Sequence, residues 1–470
     1  MTSRTVRGEI GGHAVVLGTG MAGLQAARVL TEAYRQVTVI DRDTMPGIGV
    51  HRRGVPHGRH VHGLHPRGRE VLEELFPGFT AHAVQAGAVT GDMLGNCRLL
   101  LSGHRLRQAD IGLLGLFASR PFLEGQVRSR VRALPGVTFM TGTDIVGLTT
   151  TAGRRITGAQ VRRQDGTFAH VPADLVVDAT GRGSRTPVWL EKLGYQRPAV
   201  DRVEIGLSYA TRTYRLRPGA LGEDRLIGIG GTPDNPRRGV LAALEGGRHM
   251  VTLAGMLGDH PPTDPAGFDA FAASLRFADI AEAIAGAQPL DDPVAFRFPA
   301  SVRHRYEHLA HFPDGLLVIG DAVCSLNPIY AQGMTVAANQ ALVLRRLLAH
   351  SARTAAGTTA SPEPGAYFRA VAKAVDPPWD IAVGADLAFP GVPGTRTGKI
   401  RMVNAYLPRL HAAAARDVAL GAAFVRVIGL VDRPEGLLRP DRALRVWWAN
   451  RHHLPAMRVS SETTNLQVTS

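Results

Sequence analysis

The sequence contains few residues of the kinds that mark disulfide-rich, metal-binding or membrane proteins. Only two cysteines, Cys97 and Cys324, occur in 470 residues, and their spacing matches no metal site. We therefore expect a cytoplasmic protein with reduced thiols, and we interpret Cys324 as a packed residue rather than a redox partner. No run of about 18 apolar residues is present, so no membrane span is expected. The first nine residues lead directly into an apolar segment, so we expect no signal peptide.

Lysine is nearly absent although the chain is strongly basic. Lysine and arginine total 54 against 40 acidic residues, a net charge of +14, yet the only lysines are Lys192, Lys373 and Lys399. The arginines are spread along the chain, and no basic run is interleaved with aromatic residues. This distribution argues against nucleic acid as a partner. A basic surface would favour an anionic cofactor such as NADPH, or an acidic carrier protein.

Five histidines lie close together, but their spacing matches no metal motif and no carboxylate cluster adjoins them. They are His51, His57, His60, His62 and His65. We therefore expect no metal, and His57 and His60 are candidates for hydrogen bonding in a cofactor loop or pocket. Ser184 lies in no Gly-x-Ser-x-Gly turn, which argues against a serine hydrolase.

The N-terminal segment has the order of elements typical of dinucleotide binding. Residues 13–17 are apolar and β-branched and predict a buried parallel strand. A glycine-rich turn follows, then a helical pattern over 24–30 and a second strand over 37–40 that ends in Asp41. The alternative is a glycine-rich turn with a packing role only, but the order of strand, turn, helix, second strand and acid favours a dinucleotide site.

Each glycine of this turn has a physical role. Gly18 allows the tight turn, Gly20 lets the backbone approach phosphate, and Gly23 lets helix and strand pack closely. The helix N-terminus then faces a pyrophosphate, and Asp41 is placed to accept hydrogen bonds from ribose hydroxyls. The candidate cofactor-binding residues of this segment are Gly18, Gly20, Met21, Ala22, Gly23, Asp41 and Arg42.

A second segment, about 300 residues later, indicates which dinucleotide is bound. The strand predicted over 315–319 runs into Gly320-Asp321, where an acid can accept from a sugar-alcohol chain. After Pro328 a helix is predicted from Gly333-Met334, and its free N–H groups can face the electron-rich edge of a flavin. The alternative is an ordinary strand, loop and helix with a capping Asp. A ligand that reaches both segments is long, and FAD fits best.

Several stretches together resemble the single-component FAD-dependent monooxygenases of the p-hydroxybenzoate hydroxylase fold, and most of all the bacterial polyether epoxidases of the monensin and lasalocid type. The stretches are 52–57, 118–121, 177–185, 245–248 and 313–334. The resemblance implies that Arg53 and the Gly54-Val55 backbone line the cofactor and that Arg120 lies near its pyrophosphate and ribityl chain. It also implies that Gly181 and Asp321 contact the cofactor. Pro328, Gly333 and Met334 would lie along the isoalloxazine.

The resemblance also implies an activity. NAD(P)H would reduce FAD, and O2 would form a flavin C4a-hydroperoxide that passes oxygen to an alkene or an electron-rich ring. The substrate would be a polyketide-like or polyene-like small molecule, free or carrier-tethered. The reaction would belong to antibiotic or other secondary metabolism. Catalytic residues stay unknown, because no general base is recognisable in the sequence. Substrate identity, the choice of NADH or NADPH and the oligomeric state are likewise left open.

Two positions depart from the family pattern. The chain has Thr180-Gly181 where many hydroxylases of the fold have Asp-Gly, which leaves the manner of flavin reduction open. It has Ala331 where glycine is common, and we expect this alanine to have a negative φ. Three alternatives therefore stay open: a non-redox cyclase that uses FAD structurally, an FAD-dependent reductase or dehydrogenase, and a non-catalytic flavoprotein.

The predicted fold class is α/β, with a Rossmann-like FAD-binding domain, an inserted mainly β substrate domain and a helical C-terminal region. We predict the FAD-binding domain at 1–85, 115–195 and 301–380 and the substrate-binding sheet at 86–114 and 196–300. The helical region would span 381–470, with a flexible tail from about residue 460. Trp379, Trp447 and Trp448 are interpreted as packing residues.

Overall fold

A five-stranded parallel sheet forms the centre of the molecule in a computed structural model that describes residues 10–151, 155–354 and 361–451. The strands lie in the order Leu316–Val318, Leu175–Asp178, Gly11–Leu17, Tyr34–Ile40 and Val137–Met140. Their apolar residues are buried because both faces of the sheet are covered.

Helices cover one face of this sheet and a small antiparallel sheet covers the other. The helices are Met21–Leu30, Arg120–Arg132, Gly333–Thr354 and the first half of Pro364–Asp386. The antiparallel sheet has the strands Asp144–Thr151, Arg155–Arg162 and Phe168–Pro172. Shorter helices at Pro66–Leu75, Phe79–Gln85 and Thr186–Lys192 complete this part, with a minor sheet of Gly63–Leu64, Leu114–Phe117 and Val89–Asp92.

A larger, mostly antiparallel sheet of nine strands lies beside the parallel sheet. Its main order is Cys324–Ser325, Val294–Arg305, Ala199–Arg215, His249–Gly255, Arg238–Ala243, Leu226–Ile229, Cys97–Leu101 and His104–Arg105, and Gln288–Pro289 pairs with Ala199–Arg215. The helices Pro265–Ala273 and Asp279–Ile284 pack on one side of it. Part of its other side faces the cavity described below.

Helices dominate the C-terminal region. Pro364–Asp386 carries Pro377 and Pro378 in its interior, and the helices Gly398–Ala414, Val418–Ile428 and Pro440–Asn450 follow. Several of their apolar residues pack against the segment that contains Met93, Leu99 and Leu113. Among the described residues, no helix is long and apolar enough to cross a membrane.

The predicted fold class is confirmed: a parallel α/β layer, a mainly β layer and a helical C-terminal region are all present. The domain boundaries stay predictions, and the tail from residue 460 lies outside the described residues. Trp379 is buried as expected, but the packing interpretation is wrong for Trp447 and Trp448, which are about 60% exposed on the last helix.

Candidate functional site

The two predicted cofactor loops meet at one edge of the parallel sheet. The strands Gly11–Leu17 and Leu316–Val318 flank Leu175–Asp178 and run parallel to it, so the loops that follow them leave from the same edge. Gly320 has φ +73°, and a Cβ atom built on it would lie 2.5 Å from Cβ of Ala22. Segments about 300 residues apart are therefore in direct contact.

The first loop has the shape that a phosphate requires. Gly18 has φ +100°, and a Cβ on Gly23 would lie 1.9 Å from the carbonyl oxygen of Gly18, so each of these positions needs glycine. At Gly20 the closest atom to such a Cβ would be 3.9 Å away. The helix that begins at Met21 has no side-chain N-cap, which leaves its first N–H groups available to an anion.

Asp41 is buried at the end of the second strand and is already hydrogen-bonded. Its Oδ2 accepts from Thr19 N (2.8 Å), Thr19 Oγ1 (2.5 Å) and Arg52 Nη1 (3.2 Å), whereas its Oδ1 accepts only from Asp43 N (2.9 Å) among the described contacts. A carboxylate oxygen accepts about two hydrogen bonds. Oδ1 is therefore the atom with capacity for a ribose hydroxyl.

Arg52 is the centre of a buried ion-pair network that the sequence analysis missed. Its guanidinium contacts Asp41, Asp43 (3.3 Å) and Glu124 (2.6 Å). Glu124 also binds Arg120 (3.0 Å) and lies 3.8 Å from Arg128. These carboxylates raise the pKa of Arg52 against the opposing effect of burial. Three acids face three arginines, so the network is neutral by itself and rigidifies the loop.

Asp321 lies in the cavity near two arginines. Burial raises the pKa of its carboxyl group, and the charges of Arg120 and Arg182 oppose that rise. Arg182 is itself stacked over the ring of Phe298, 4.1 Å from its centroid. An acid in this setting can accept from the hydroxyls of a ribityl chain that displaces its water.

The expectation for Ala331 is wrong. This residue has φ +53° and ends the short turn Pro328–Tyr330 in the left-handed conformation, where an alanine is strained. The turn is held by Asn327, whose side chain accepts from Ile329 N (3.1 Å), and by His65 Nε2, 2.9 Å from the carbonyl oxygen of Tyr330. These contacts impose the backbone conformation that glycine adopts more easily.

Thr180 does not expose an acid to the site, and a neighbouring acid is turned inward. Asp178 is fully buried and accepts from the hydroxyls of Thr180 (2.6 Å), Ser184 (2.5 Å) and Thr186 (2.5 Å). Its carboxylate therefore fixes the loop after the strand. The departure from the Asp-Gly pattern removes a negative charge from the edge of the cavity.

One cavity of about 1320 Å³ contains the predicted site. All predicted cofactor residues line it except Gly23, which packs inside the helix turn, and Arg53, which is exposed. The lining members are Gly18, Gly20, Met21, Ala22, Asp41, Arg42, Gly54, Val55, Arg120, Gly181, Asp321, Pro328, Gly333 and Met334. Since pockets for drug-sized ligands measure roughly 300–1,000 Å³, this cavity has room for FAD and a second molecule.

Two of the stretches that carry the family resemblance bind each other. Glu245 accepts from Ser119 N (2.8 Å), Ser119 Oγ (2.7 Å) and Arg248 Nη2 (2.5 Å). Ser119 is also the N-cap of the helix that begins at Arg120. The larger sheet thus fixes the start of a helix that lines the cofactor end.

The cavity continues into an apolar chamber between the larger sheet and the C-terminal helices. Its lining includes Tyr209, Phe296, Ile329, Phe389, Leu407, Phe424, Val427 and Leu437. Burial lowers the pKa of His60 to about 4 and that of His62 to about 3, so both imidazoles are neutral at pH 7. His60 Nδ1 is 2.7 Å from Thr211 Oγ1, and its Nε2 has no partner among the described residues.

Solved structures share this fold. The flavin-dependent brominase Bmp2 superposes with a TM-score of 0.66 at 14% identity, covering 94% of this chain and 99% of that chain. A probable FAD-dependent monooxygenase of Pseudomonas aeruginosa, PqsL, gives a TM-score of 0.57 at 17% identity over 88% of this chain and 99% of that chain. The fold is therefore the one that FAD-dependent monooxygenases and halogenases of the p-hydroxybenzoate hydroxylase type share.

Sequence similarity gives a narrower result. No family model matches the chain. Protein Rv3254 of Mycobacterium tuberculosis (strain ATCC 25618 / H37Rv) is 35% identical over 436 residues, which cover 89% of this chain and 90% of that protein. The chain belongs to the same family as Protein Rv3254.

Proposed function

We propose that this protein is an FAD-dependent monooxygenase that uses NAD(P)H and O2 to epoxidise or hydroxylate a largely apolar small molecule. The observation that carries the proposal is the contact between the two cofactor loops, in a cavity that continues into an apolar chamber. The polyether epoxidase resemblance, a carrier-tethered substrate and a cytoplasmic location are parts of this proposal.

The residues of the cofactor end fit FAD. Backbone N–H groups at the start of the helix Met21–Leu30 would bind the pyrophosphate, Asp41 Oδ1 the ribose and Asp321 the ribityl hydroxyls. The first N–H groups of Gly333–Thr354 would face the pyrimidine edge of the flavin. FAD held there supplies the chemistry that side chains lack, namely electron transfer from NAD(P)H and activation of O2.

The chamber supplies the conditions for oxygen transfer. Its aromatic and aliphatic lining disfavours water, which would otherwise divert the activated oxygen to peroxide. It also holds an alkene or ring beside the flavin loop, and orientation alone contributes strongly to such reactions. Epoxidation requires no strong base, in keeping with the neutral imidazoles around His60.

The test combines cofactor binding and oxygen incorporation. Purified protein should carry a flavin chromophore, consume NADPH with linear polyenes or prenylated phenols, and yield a product that contains one atom from ¹⁸O2. Because a lost hydrogen bond to a charged group costs about 1.5–3 kcal/mol, Asp321→Asn should weaken flavin binding by about 10- to 100-fold. Asp314→Asn, at an exposed residue before the same strand, should not change it. A chain that carries no flavin would contradict the proposal.

A second candidate is a non-redox cyclase in which FAD is structural. It is favoured by the inward orientation of Asp178 and by Thr180, which leave no acid at the position where hydroxylases of this fold have one. The same assay separates the candidates, because a cyclase forms product without NADPH or O2 and incorporates no ¹⁸O. A reductase or dehydrogenase would consume NADPH, or reduce the flavin with substrate, also without ¹⁸O in the product.

A further inference from the structure

Arg238 is a buried cation in the apolar part of the cavity. It is the first residue of the strand Arg238–Ala243, is 8% exposed and lines the cavity. Its guanidinium carbon lies 4.7 Å from the ring centroid of Phe389 and 5.9 Å from that of Tyr330. In the described part of the chain it forms no ion pair, and its Nε has no hydrogen-bond partner.

Other arginines of the cavity are paired or exposed. Arg52 contacts three carboxylates, and Arg276, at another part of the lining, binds Asp234 at 2.7 Å and is 41% exposed at its side chain. A charge that is removed from water without a partner is costly, and aromatic faces return only part of that cost. Arg238 is therefore a cavity cation for which the described residues supply no ion-paired carboxylate.

The acid that interacts electrostatically with Arg238 is Asp386, which makes its hydrogen bonds to other groups. Asp386 is fully buried, and its Oδ1 accepts from Asn327 Nδ2 (2.8 Å) and from the hydroxyl of Tyr330 (2.8 Å). Burial raises the pKa of Asp386 to about 6, although Arg238 and these two hydrogen bonds oppose the rise. Asp386 thus interacts with Arg238 over a distance without closing a salt bridge.

Tyr330 is oriented by this acid. Because its hydroxyl hydrogen points to Asp386, the oxygen of Tyr330 can only accept, and it accepts from the guanidinium of Arg238. Tyr330 also belongs to the second cofactor loop and lines the cavity beside Arg238. An oxygen-bearing group bound here would therefore lie close to the loop predicted to carry the flavin.

We propose that Arg238, oriented by Tyr330, binds an anionic oxygen of the substrate, a carboxylate or an enolate, so that the enzyme selects apolar acids over their neutral analogues. A guanidinium binds two oxygens of a planar anion through parallel N–H groups, which fixes the orientation of the molecule as well as its charge. The apolar remainder of the substrate then lies along the chamber. This inference deepens the proposed function and rests on it for the role of the cavity.

The test measures binding and needs no turnover. Purified protein with its bound chromophore is titrated with sodium dodecanoate and with dodecan-1-ol, followed by calorimetry and by the change in the flavin spectrum. We expect dodecanoate to bind at least about tenfold more tightly than the alcohol. A second acid, 2-octylcyclohexane-1,3-dione, presents an enolate. Tight binding of one acid identifies its anion class, and equal affinity of both acids and the alcohol overturns the inference.

Variants then assign the effect to Arg238. Arg238→Met should weaken dodecanoate binding about 10- to 100-fold and change dodecan-1-ol binding less than about twofold. Arg276→Met is the matched control, since it removes an arginine of the same cavity that is exposed and paired. Unchanged dodecanoate affinity in Arg238→Met overturns the inference. If that variant does not fold, Arg238→Lys replaces it. We expect a smaller loss of dodecanoate affinity, because lysine keeps the charge but lacks the parallel N–H groups of the guanidinium.

These outcomes are separate from those of the oxygenation assay. If the protein binds dodecanoate through Arg238 but never incorporates ¹⁸O, the inferred acid site is supported and the proposed monooxygenase function is contradicted. A protein that oxygenates neutral polyenes and ignores acids keeps the function and loses the acid site.

Discussion

The two ends of the cavity hold their charges in opposite ways. At the cofactor end, Arg52 is surrounded by Asp41, Asp43 and Glu124, and with Arg120 and Arg128 beside Glu124 the charges balance within the protein. At the chamber end, Arg238 lies against aromatic rings and forms no ion pair in the described part of the chain. The comparison separates the Arg52 network, in which the protein itself balances the charges, from Arg238, whose proposed counter-ion is the substrate.

Substituting Gly23 should have the largest effect, because this change alters the backbone of the first cofactor loop and should abolish flavin binding. A Cβ at Gly23 would lie 1.9 Å from a backbone oxygen, so Gly23→Ala must displace the helix whose first N–H groups are proposed to bind phosphate. We expect the purified variant to retain no detectable flavin by absorbance. Gly47→Ala, where a Cβ meets no atom within 4 Å, should retain the flavin content of the parent protein. Full flavin content in Gly23→Ala would contradict the predicted role of this turn.

Removing the central arginine should come next. Arg52→Met leaves three buried carboxylates without their shared cation, which typically costs about 3–5 kcal/mol, measured by chemical denaturation. Arg53→Met changes an exposed neighbour and should alter the free energy of unfolding by less than about 0.5 kcal/mol. Equal losses in both variants would show that the network around Arg52 is not the stabilising element.

Acid should destabilise the protein through the buried histidines. The pKa of His60 in the folded state, about 4, lies below its ordinary value of 6.5. Its contribution to stability is therefore complete above pH 6.5 and is lost as the pH falls to 4, by about 3 kcal/mol. His60→Gln should reduce the slope of the unfolding free energy against pH in that window by the amount that corresponds to about one proton. The exposed His82→Gln should leave the slope unchanged.

Replacing the chamber arginine should have the opposite sign to replacing Arg52. A buried cation without an ion pair is destabilising relative to an apolar residue of similar length, so Arg238→Met should raise the free energy of unfolding by about 1–2 kcal/mol. The measurement is the urea midpoint without added ligand. A loss of more than about 1 kcal/mol would mean that Arg238 is a structural brace, and the contrast between the two ends would then fail.

The smallest effect should come from the strained turn. Ala331→Gly relieves a left-handed alanine that costs about 1–2 kcal/mol and loses part of that gain to chain entropy, which leaves a net stabilisation of about 0.5–1 kcal/mol. Ala349→Gly, at an exposed position of the helix that follows, should instead destabilise by about 1 kcal/mol. Calorimetric melting of the pair would resolve the opposite shifts.

The sequence predicts the cofactor end better than the chamber, for a physical reason. A strand, a glycine turn and a helix are encoded by neighbouring residues, so Gly18, Gly20 and Asp41 could be assigned to one edge of a sheet before the fold was known. The structure brings them to one cavity with Asp321, while their binding of FAD stays a prediction. The sequence predicts Arg53 as a cofactor residue, whereas Arg52 lines the cavity and Arg53 is exposed, because side-chain direction in an irregular loop is not contained in local spacing.

The chamber depends on contacts that no local pattern encodes. Arg238, Tyr330 and Asp386 come from a strand, a turn and a helix end, and only the tertiary fold shows that Asp386 binds Tyr330 and leaves Arg238 unpaired. The positive φ of Ala331 has the same origin, since distant contacts such as His65 impose it. The exposure of Trp447 and Trp448 likewise follows from helix packing rather than from composition.

The contact between loops about 300 residues apart also bears on how the protein is made. The edge strand Leu316–Val318 and its loop emerge from the ribosome long after the first glycine turn. All strands of the larger sheet except Cys324–Ser325 are synthesised between the glycine turn and this edge strand. The parallel sheet can therefore be completed only after the elements synthesised in between. Pairing of strands that are distant in sequence is slow. A ligand that spans both loops binds only the finished chain and stabilises it by mass action. Supply of flavin during expression should thus raise the yield of folded protein.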